Sequence, residues 1–434
     1  MRTVKLTTPN TVLLLLCAMY LILYVDRVNI ATAAPLIQRD LRLSNTELGF
    51  AFSAFAYPYT LFQLFGGWLG NRFGARRTLC VSILIVCIAT ALTGGIGGLA
   101  SLFAVRVALG FGEGAALPTA THAMSSWTPT ARWGFAQGIT HSFARLGNFV
   151  TPPIVAALIA WWSWRASFFI LAGVSLVWMA VWAWYFRDHP NDHPSITQDD
   201  LAELPIRARG EARRPTPWLR LFRRILPATA VNFCYGWTLW LFLSWIPSFF
   251  VQNYHLNLGS SALYSSGVFF AGVVGDTLGG TASDVILRRT GNLVIARRSV
   301  IMIGFLGGCI FLIPLILIHD LMVSAVCLSL AFFFAELIVA PSWAVAMDIA
   351  PRYAGSAAGM MNFGSAFAGI VSPLFFGYMI DLTGTWTVPF IASILLLLLG
   401  AVLAFYLRPD QPLIEEDRDA ASLSLPMPEL IGER

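Results

Sequence analysis

Residues 66–77 read GGWLGNRFGARR, and residues 279–289 read GGTASDVILRR. Each segment begins with two glycines and ends with two arginines, and each follows a long apolar stretch. The second begins 213 positions after the first, which is about half of the 434-residue chain. A motif that recurs once at about half the chain length indicates a duplicated unit.

Three further pairs of segments support the duplication. GEGAALPT at 112–119 matches AELIVAPS at 335–342, with glutamate and proline five positions apart in both. SWRASFFI at 163–170 matches TWTVPFI at 385–391, and Pro153 matches Pro373. The pairs occur in the same order at nearly one offset, so the two halves share one orientation. Parallel repeats of this kind are typical of secondary transporters, whose binding site lies near the bilayer midplane between the halves.

The composition predicts an integral membrane protein. Hydrophobic residues make up 57% of the chain and charged residues only 12%, whereas a soluble domain has roughly 25% charged residues. A membrane-spanning helix needs about 20 apolar residues. The sequence predicts an all-α fold with twelve spans, at 11–36, 46–71, 78–98, 101–127, 132–161, 164–186, 223–251, 259–287, 298–318, 321–348, 353–381 and 385–407.

The polar, proline-containing segment 187–222 divides the spans into two groups of six. We therefore expect an N-terminal bundle at 1–186, a linker at 187–222, a C-terminal bundle at 223–408 and a tail at 409–434. Of the 28 lysines and arginines, 22 fall in segments on the side of both termini and three on the other side. The positive-inside rule then places both termini and the linker in the cytoplasm. The first apolar run is too long for a signal peptide and is read as the first helix.

Charged residues occur inside the predicted spans. The segment LYVDRVNIA at 23–31 places Asp26 beside Arg27, and span four carries Arg106 and Glu113. A charge at the bilayer centre costs roughly 2.5–3.5 kcal/mol on insertion scales. Such residues are therefore expected to pair with one another or to serve function.

The spacing in span four brings its two charges to one helix face. Arg106, Gly110 and Glu113 are separated by four and three positions, and we expect Gly110 to leave room between the charges. Guanidinium groups match carboxylates in a two-pronged geometry. Arg27 and Arg106 therefore predict an anion site, and Asp26 and Glu113 offer positions for a proton.

The motifs resemble a known family. GGWLGNRFGARR is similar to the loop signature of the major facilitator superfamily, in which an acid normally stands where this chain has Asn71; the second copy keeps Asp284. YVDRVNIATAAP, RVALGFGEGAALPTATHAMSSW and FRDHPNDHP resemble the anion:cation symporter family, which includes bacterial galactonate, hexuronate and glucarate transporters. The resemblance covers nearly the whole chain.

This resemblance implies a proton-coupled importer of an organic anion, with a sugar acid as the expected substrate, that works by alternating access in a bacterial inner membrane. Arg27 and Arg106 would hold the carboxylate, and Asp26 and Glu113 would carry protons. The polyol contacts would come from Tyr24, Tyr59, Ser342, Trp343 and Asn362.

One further group of charged residues has two interpretations. His141 and Arg145 are one turn apart on span five, and Arg145 either meets a second acidic group of the substrate or pairs with Glu336. Asp276, Asp348 and Asp381 lie nearer the span ends, where structural roles are expected. Tryptophans near span ends, Trp161, Trp162, Trp164 and Trp386, are expected to be interface anchors.

Other functions remain alternatives. In one alternative, the protein transports a different carboxylate, either an aromatic or a dicarboxylic acid. An organophosphate antiporter is expected to carry an arginine on span seven, which here has none beyond Arg224 at its edge. A drug exporter is expected to carry a glycine-proline motif in span five, and this motif is absent. A non-transporting receptor is a further class. No enzyme motif, metal site, cofactor or nucleic-acid partner is predicted; the partners are a small organic anion, the coupling proton and the lipid bilayer, and the chain is expected to be monomeric.

Overall fold

The computed structural model describes residues 7–129, 133–204, 217–350 and 354–413. Within these ranges it does not describe the side chains of residues 64, 65, 67, 68, 71, 133–135, 137 and 354–355. This part of the chain is helical and contains no β-strand. Its helices are α1 Thr8–Leu41, α2 Asn45–Phe73, α3 Ala75–Thr93, α4 Leu99–Trp127, α5 Trp133–Trp161, α6 Trp164–Tyr185, α7 Gln198–Glu203, α8 Trp218–Tyr254, α9 Leu258–Thr290, α10 Leu293–Leu312, α11 Pro314–Leu317, α12 Leu321–Glu336, α13 Val339–Ile349, α14 Ala354–Thr383 and α15 Thr387–Ala404.

The predicted all-α fold with twelve spans is confirmed. Eleven helical segments of the described chain are long and apolar enough to cross a membrane by length and composition, and α2, with 29 residues, is the twelfth. Two spans predicted as single helices are interrupted. Span nine consists of α10 and α11, because Pro314 begins a new short helix. Span ten consists of α12 and α13, which are separated at Leu337 and Ile338.

The helix pairings repeat between the halves. In the first half α1 packs on α5, α2 on α4 and α3 on α6. In the second half α8 packs on α14, α9 on α12 and α10 on α15, which are the corresponding partners. The duplicated arrangement is therefore a parallel repeat of two six-helix units. The predicted limits of the two bundles stay a prediction, and residues 205–216 of the linker lie outside the described chain.

The halves meet along pairs of helices that are related by the repeat. The contact of α2 with α14 is the counterpart of the contact of α5 with α9, and α1 also touches α8. Within each half, glycines bring helix backbones together, as small residues do in membrane proteins. A Cβ on Gly110 of α4 would clash with the carbonyl oxygen of Phe55 on α2, and one on Gly236 of α8 would clash with the Cα of Ser365 on α14.

The α1–α2 end of the bundle, where α1 ends and α2 begins, is closed by contacts between the halves. The Asp381 carboxylate, near the end of α14, accepts bonds from the backbone N–H groups of Asn45 and Thr46 at 3.1 and 2.6 Å. It also accepts bonds from their side chains at 2.8 and 2.6 Å. Asp381 thus caps the first turn of α2, which has unpaired N–H groups of its own. Gln252 of α8 adds bonds to Gln38 at 3.2 Å and to Asn45 at 3.1 Å.

The opposite end carries the duplicated glycine-arginine motif. In the second copy Arg297 contacts Asp284 at 3.3 Å and Asp348 at 3.0 Å, so both acids are in structural ion pairs. In the first copy the side chain of Asn71 lies outside the described residues. There the Asp188 carboxylate accepts a bond from the backbone N–H of Arg76 at 2.9 Å, beside the start of α3.

The four tryptophans predicted as interface anchors divide into two pairs. Trp161 and Trp162 are 72% and 64% exposed, as an anchor should be. Trp164 and Trp386 are buried, so the prediction is wrong for them. The Trp164 indole donates a bond to Asp40 at 2.7 Å, and the Trp386 ring packs against Phe249 at 5.2 Å between centroids. A polar or aromatic partner on a neighbouring helix holds each of them inside the protein.

Candidate functional site

Arg27 and Glu113 form a buried ion pair between α1 and α4. The Arg27 Nε and Nη2 atoms donate to one Glu113 oxygen, Oε2, at 3.2 and 2.5 Å. Arg27 is 6% exposed and Glu113 is fully buried. The second oxygen of Glu113 has no hydrogen-bond partner among the described residues. The sequence assigned these two residues to separate tasks, and the structure brings them into direct contact.

Aromatic rings surround the Arg27 guanidinium. Its Cζ atom lies 4.6 Å from the ring centre of Tyr24, 4.8 Å from Tyr59 and 5.1 Å from Phe55. Trp240 of α8 is the fourth ring, at 5.9 Å. All four distances are within the range of a cation–π interaction. The cage therefore contains Tyr24 and Tyr59, which the sequence predicted, and one ring from the opposite half.

Phe55 and Trp240 were missed by sequence reasoning. Phe55 is four positions before Tyr59 on α2, so helical spacing could have placed both rings on one face. Trp240 carries no such signal, because its position depends on how the halves meet. Its indole N–H donates to the carbonyl oxygen of Ser365 at 3.0 Å, which fixes the ring.

Arg106 is a buried cation that forms no ion pair with the described residues. It is 3% exposed, and its Cζ atom lies 4.9 Å from the Phe55 ring. No carboxylate of the described chain lies within 4 Å of it, and its Nε has no hydrogen-bond partner there. The Phe55 ring is thus within cation–π distance of both the Arg27 and the Arg106 guanidinium groups. Because Gly110 packs against the Phe55 backbone, it does not leave room between the charges as expected; it lets α2 bring Phe55 to both arginines.

Asp26 faces a different neighbour from Arg27. Its Oδ2 atom accepts a bond from the Ser175 hydroxyl of α6 at 3.1 Å, and its Oδ1 atom has no partner among the described residues. Asp26 is 3% exposed. It is therefore buried within the first half, on the side of α1 that faces α6, and makes no ion pair with the neighbouring arginine.

Two of the three residues proposed from the second half contact the first half. The Asn362 amide donates to the Gln63 side-chain oxygen at 3.0 Å, which joins α14 to α2. The Trp343 ring lies 5.9 Å from the His141 ring, which joins α13 to α5. Ser342 is 4% exposed, and its hydroxyl has no partner in the described chain. These positions are compatible with contact to a ligand between the halves.

A second charged cluster, here called the Arg145 cluster, contains Arg145, Asp276, Glu336 and Tyr235. Arg145 of α5 lies 2.8 Å from the fully buried Glu336 of α12 and 3.5 Å from Asp276 of α9. The Tyr235 hydroxyl donates to Glu336 at 3.2 Å. The sequence left two interpretations of Arg145 open, and one of them was an ion pair with Glu336. The described contacts include this ion pair. Asp276 belongs to the same cluster rather than to a separate structural contact.

Comparison with known proteins identifies the family. The family model described as Major Facilitator Superfamily matches residues 16–373 and 295–431. The chain is 45% identical to the Probable sulfoacetate transporter of Cupriavidus necator over 98% of this chain and 99% of the relative. It is 30% identical to the hexuronate transporter of Bacillus subtilis over 85% and 87% of the two chains. It is 31% identical to the D-galactonate transporter of Escherichia coli over 82% and 86%.

The fold is also that of a solved transporter. A bacterial homologue of the human lysosomal transporter Spinster, in an inward-facing and unoccupied conformation, superposes with a TM-score of 0.74 at 17% identity. The superposition covers 92% of this chain and 96% of that one. At this identity the likeness concerns the fold alone. The chain belongs to the Major Facilitator Superfamily, within its anion:cation symporter-like group, and is a multi-pass membrane transporter and not an enzyme.

Proposed function

We propose that the protein is a proton-coupled symporter that imports a small organic anion. The observation that carries the proposal is the buried Arg106 without an acidic partner, beside an Arg27 that is already paired with Glu113. A buried cation without a direct ion pair is costly, and a carboxylate or sulfonate of a substrate would reduce that cost. The relatives named as transporters of organic anions support the same class.

Coupling follows from competition for Arg27. An arriving anion attracts the guanidinium that now binds Glu113, and the displaced Glu113 remains buried at 0% exposure. An unpaired buried carboxylate is unfavourable in its charged form, so a proton binds to it. By linkage the proton strengthens anion binding by the same factor. Asp26, buried on the α6 side, is a second residue that could share this proton.

For the substrate, we favour a compact anion with a carboxylate and a sulfonate. Sulfoacetate has both groups on two carbon atoms, and the relative of that name matches this chain end to end. Arg27 and Arg106, two buried arginines that both contact the Phe55 ring, can each bind one acidic group. A sugar acid is the second candidate. The amides of Gln63 and Asn362 and the free Ser342 hydroxyl are the groups that would favour it, because they can bond to a polyol.

Orientation and assembly are part of the proposal. The distribution of lysine and arginine favours cytoplasmic termini in a cell membrane, and the α1–α2 end then faces outside. The transporter acts as a monomer, because the repeat places both halves of the site in one chain.

Binding tests the anion site. Purified protein is titrated with sulfoacetate, galactonate and glucuronate, and the change in melting temperature is measured. We expect at least one of them to stabilise the wild type, and Arg106→Lys to weaken that ligand at least tenfold, because an ammonium lacks the planar fork. Arg165→Lys is the matched control, since Arg165 is 41% exposed and pairs with Asp40 at the surface. Equal affinity in Arg106→Lys and wild type would refute the anion site.

Transport tests the coupling. Proteoliposomes with an imposed pH gradient are compared with counterflow at equal pH. We expect Glu113→Gln to exchange the substrate but not to accumulate it, because the amide cannot release a proton. Full accumulation by Glu113→Gln would exclude this residue from coupling, and loss of counterflow as well would point to a structural role of the Arg27–Glu113 pair.

A further inference from the structure

The Arg145 cluster lies outside the Arg27–Glu113 pair and has an uneven charge. One guanidinium, Arg145, faces two carboxylates, Glu336 and Asp276. The formal charge of the three is negative by one. Glu336 is fully buried, and Tyr235, which bonds to its Oε1 atom, is 4% exposed. Excess negative charge away from water favours the uptake of a proton.

The position of Glu336 in its helix acts in the same direction. Glu336 is the last residue of α12, where the chain breaks before α13 begins at Val339. The C-terminal end of a helix carries partial negative charge from its unpaired carbonyl groups. A charged carboxylate is disfavoured there, and a neutral carboxyl group is not. On the repeat, Glu113 is the counterpart of Glu336, yet it lies inside the unbroken α4.

The hydrogen bonds of the cluster are incomplete. Arg145 Nη2 and Glu336 Oε2 are 2.8 Å apart, but Glu336 Oε2 and two of the arginine nitrogens, Nε and Nη1, have no well-directed hydrogen bond in the described chain. A buried ion pair is stabilising only when its remaining donors and acceptors are also satisfied. The pair is therefore poised to separate once either partner loses its charge.

The cluster also joins the halves. Arg145 is on α5 of the first half, whereas Glu336, Asp276 and Tyr235 belong to α12, α9 and α8 of the second. Two other titratable groups interact with it electrostatically from the first half, Tyr24 of α1 and His141 of α5. A change in the charge of Glu336 thus changes the attraction between the two units that must move in alternating access.

We propose that Glu336 is a second proton-binding site of this transporter, and that its protonation loosens the tie between the halves. A proton on Glu336 releases the tie between α5 and α12 and leaves Arg145 held to the second half by Asp276 of α9 alone, so the halves separate more easily. The inference rests on the transporter assignment but not on the identity of the substrate. It places one proton in the first half, at Glu113, and another in the second half.

The experiment measures conformation without any substrate. Spin labels are placed at the exposed positions 39 and 319, one in each half near the α1–α2 end, and the distance distribution is recorded from pH ~5 to ~8 in lipid nanodiscs. In the wild type we expect the population of separated halves to rise as the pH falls. Glu336→Gln should show the low-pH distribution at every pH. Arg165→Lys should keep the pH response, because Arg165 pairs with Asp40 at the surface and is not part of the Arg145 cluster.

A second variant keeps the test decisive if Glu336→Gln does not fold. Asp276→Asn removes the carboxylate that competes with Glu336 for Arg145. Arg145 then pairs with Glu336 alone, which stabilises the charged form of Glu336. The midpoint should move to lower pH by about one unit, which is tenfold in proton concentration. A wild-type response in Glu336→Gln, or an unchanged midpoint in Asp276→Asn, would refute the second proton site. Neither result depends on which anion is carried. An error in the proposed substrate would appear in the binding experiment and not in these distance measurements.

Discussion

Removal of the Asp381 carboxylate is expected to open the α1–α2 end of the bundle. Asp381 accepts four hydrogen bonds from Asn45 and Thr46 across the interface between halves. The Asp381→Ala variant loses all four and uncovers the N–H groups of the first turn of α2. No other residue of α14 replaces them in the described contacts.

The size of the effect follows from the number of bonds. Hydrogen bonds to a charged group contribute about 1.5–3 kcal/mol each when sheltered. Because Asp381 is exposed to solvent, we discount each bond to about 0.5 kcal/mol, the level of an exposed ion pair. Four bonds then favour the closed end by about 2 kcal/mol, which is a roughly 30-fold change in the equilibrium between closed and open.

The assay is the spin-label distance between positions 39 and 319, and the matched control is Asp320→Ala. Asp320 is also an exposed aspartate that caps a helix, since it accepts a bond from the N–H of Val323 at 2.9 Å. That bond stays within one half, so its loss should lower stability without opening the α1–α2 end. If Asp381→Ala and Asp320→Ala gave the same distance distribution as wild type, the capping bonds would not hold the end closed.

Three further outcomes are expected. A cysteine at position 199, in the linker, should react with an impermeant thiol reagent only from the cytoplasmic side, and labelling from outside in intact cells would reverse the proposed orientation. Gly236→Val should lower the melting temperature, at a cost of about 1–3 kcal/mol for overpacking, because a Cβ there meets Ser365; Gly173→Val, with open space around it, is the control. Burial, followed by the Arg187 cation, lowers the pKa of His193, so the stability it contributes is present above about pH 6.5 and is lost as pH falls. Hydrogen exchange of residues 187–197 should therefore increase on acidification, after correction for intrinsic rates, and His193→Phe should remove the increase.

Much of the fold could be predicted from the sequence, because hydrophobic length and loop charge are local properties. The twelve spans and the parallel repeat needed only apolar runs and the recurrence of short motifs. The breaks in spans nine and ten were missed. Pro314 and Pro341 gave local signals for the two breaks, the second because a proline has no N–H to bond to Leu337 four positions earlier, but the matching Pro118 leaves α4 unbroken, so a proline alone did not decide it.

The candidate site was harder to predict, because its contacts join residues far apart in the chain. Helical spacing placed Arg106 and Glu113 on one face, but it could not show that Glu113 pairs with Arg27, 86 positions away. Trp240 and Asp276 enter through contacts between halves, which have no trace in local sequence. Asp26 was grouped with Arg27 because they are neighbours in sequence, yet consecutive helix residues point in different directions.

The charges around Phe55 have an electrical consequence for the working transporter. Asp26, Arg27, Arg106 and Glu113 sum to a formal charge of zero, so these four residues add no net charge to the reorientation of the empty carrier. A monovalent anion with one proton is also neutral, and its transport should not respond to the membrane voltage. Sulfoacetate carries two negative charges, and with one proton its transport would move a full charge, worth about 2.3 kcal/mol per 100 mV. A second proton on Glu336 would cancel that charge, so a current recorded across a planar bilayer during transport counts the protons that accompany each substrate.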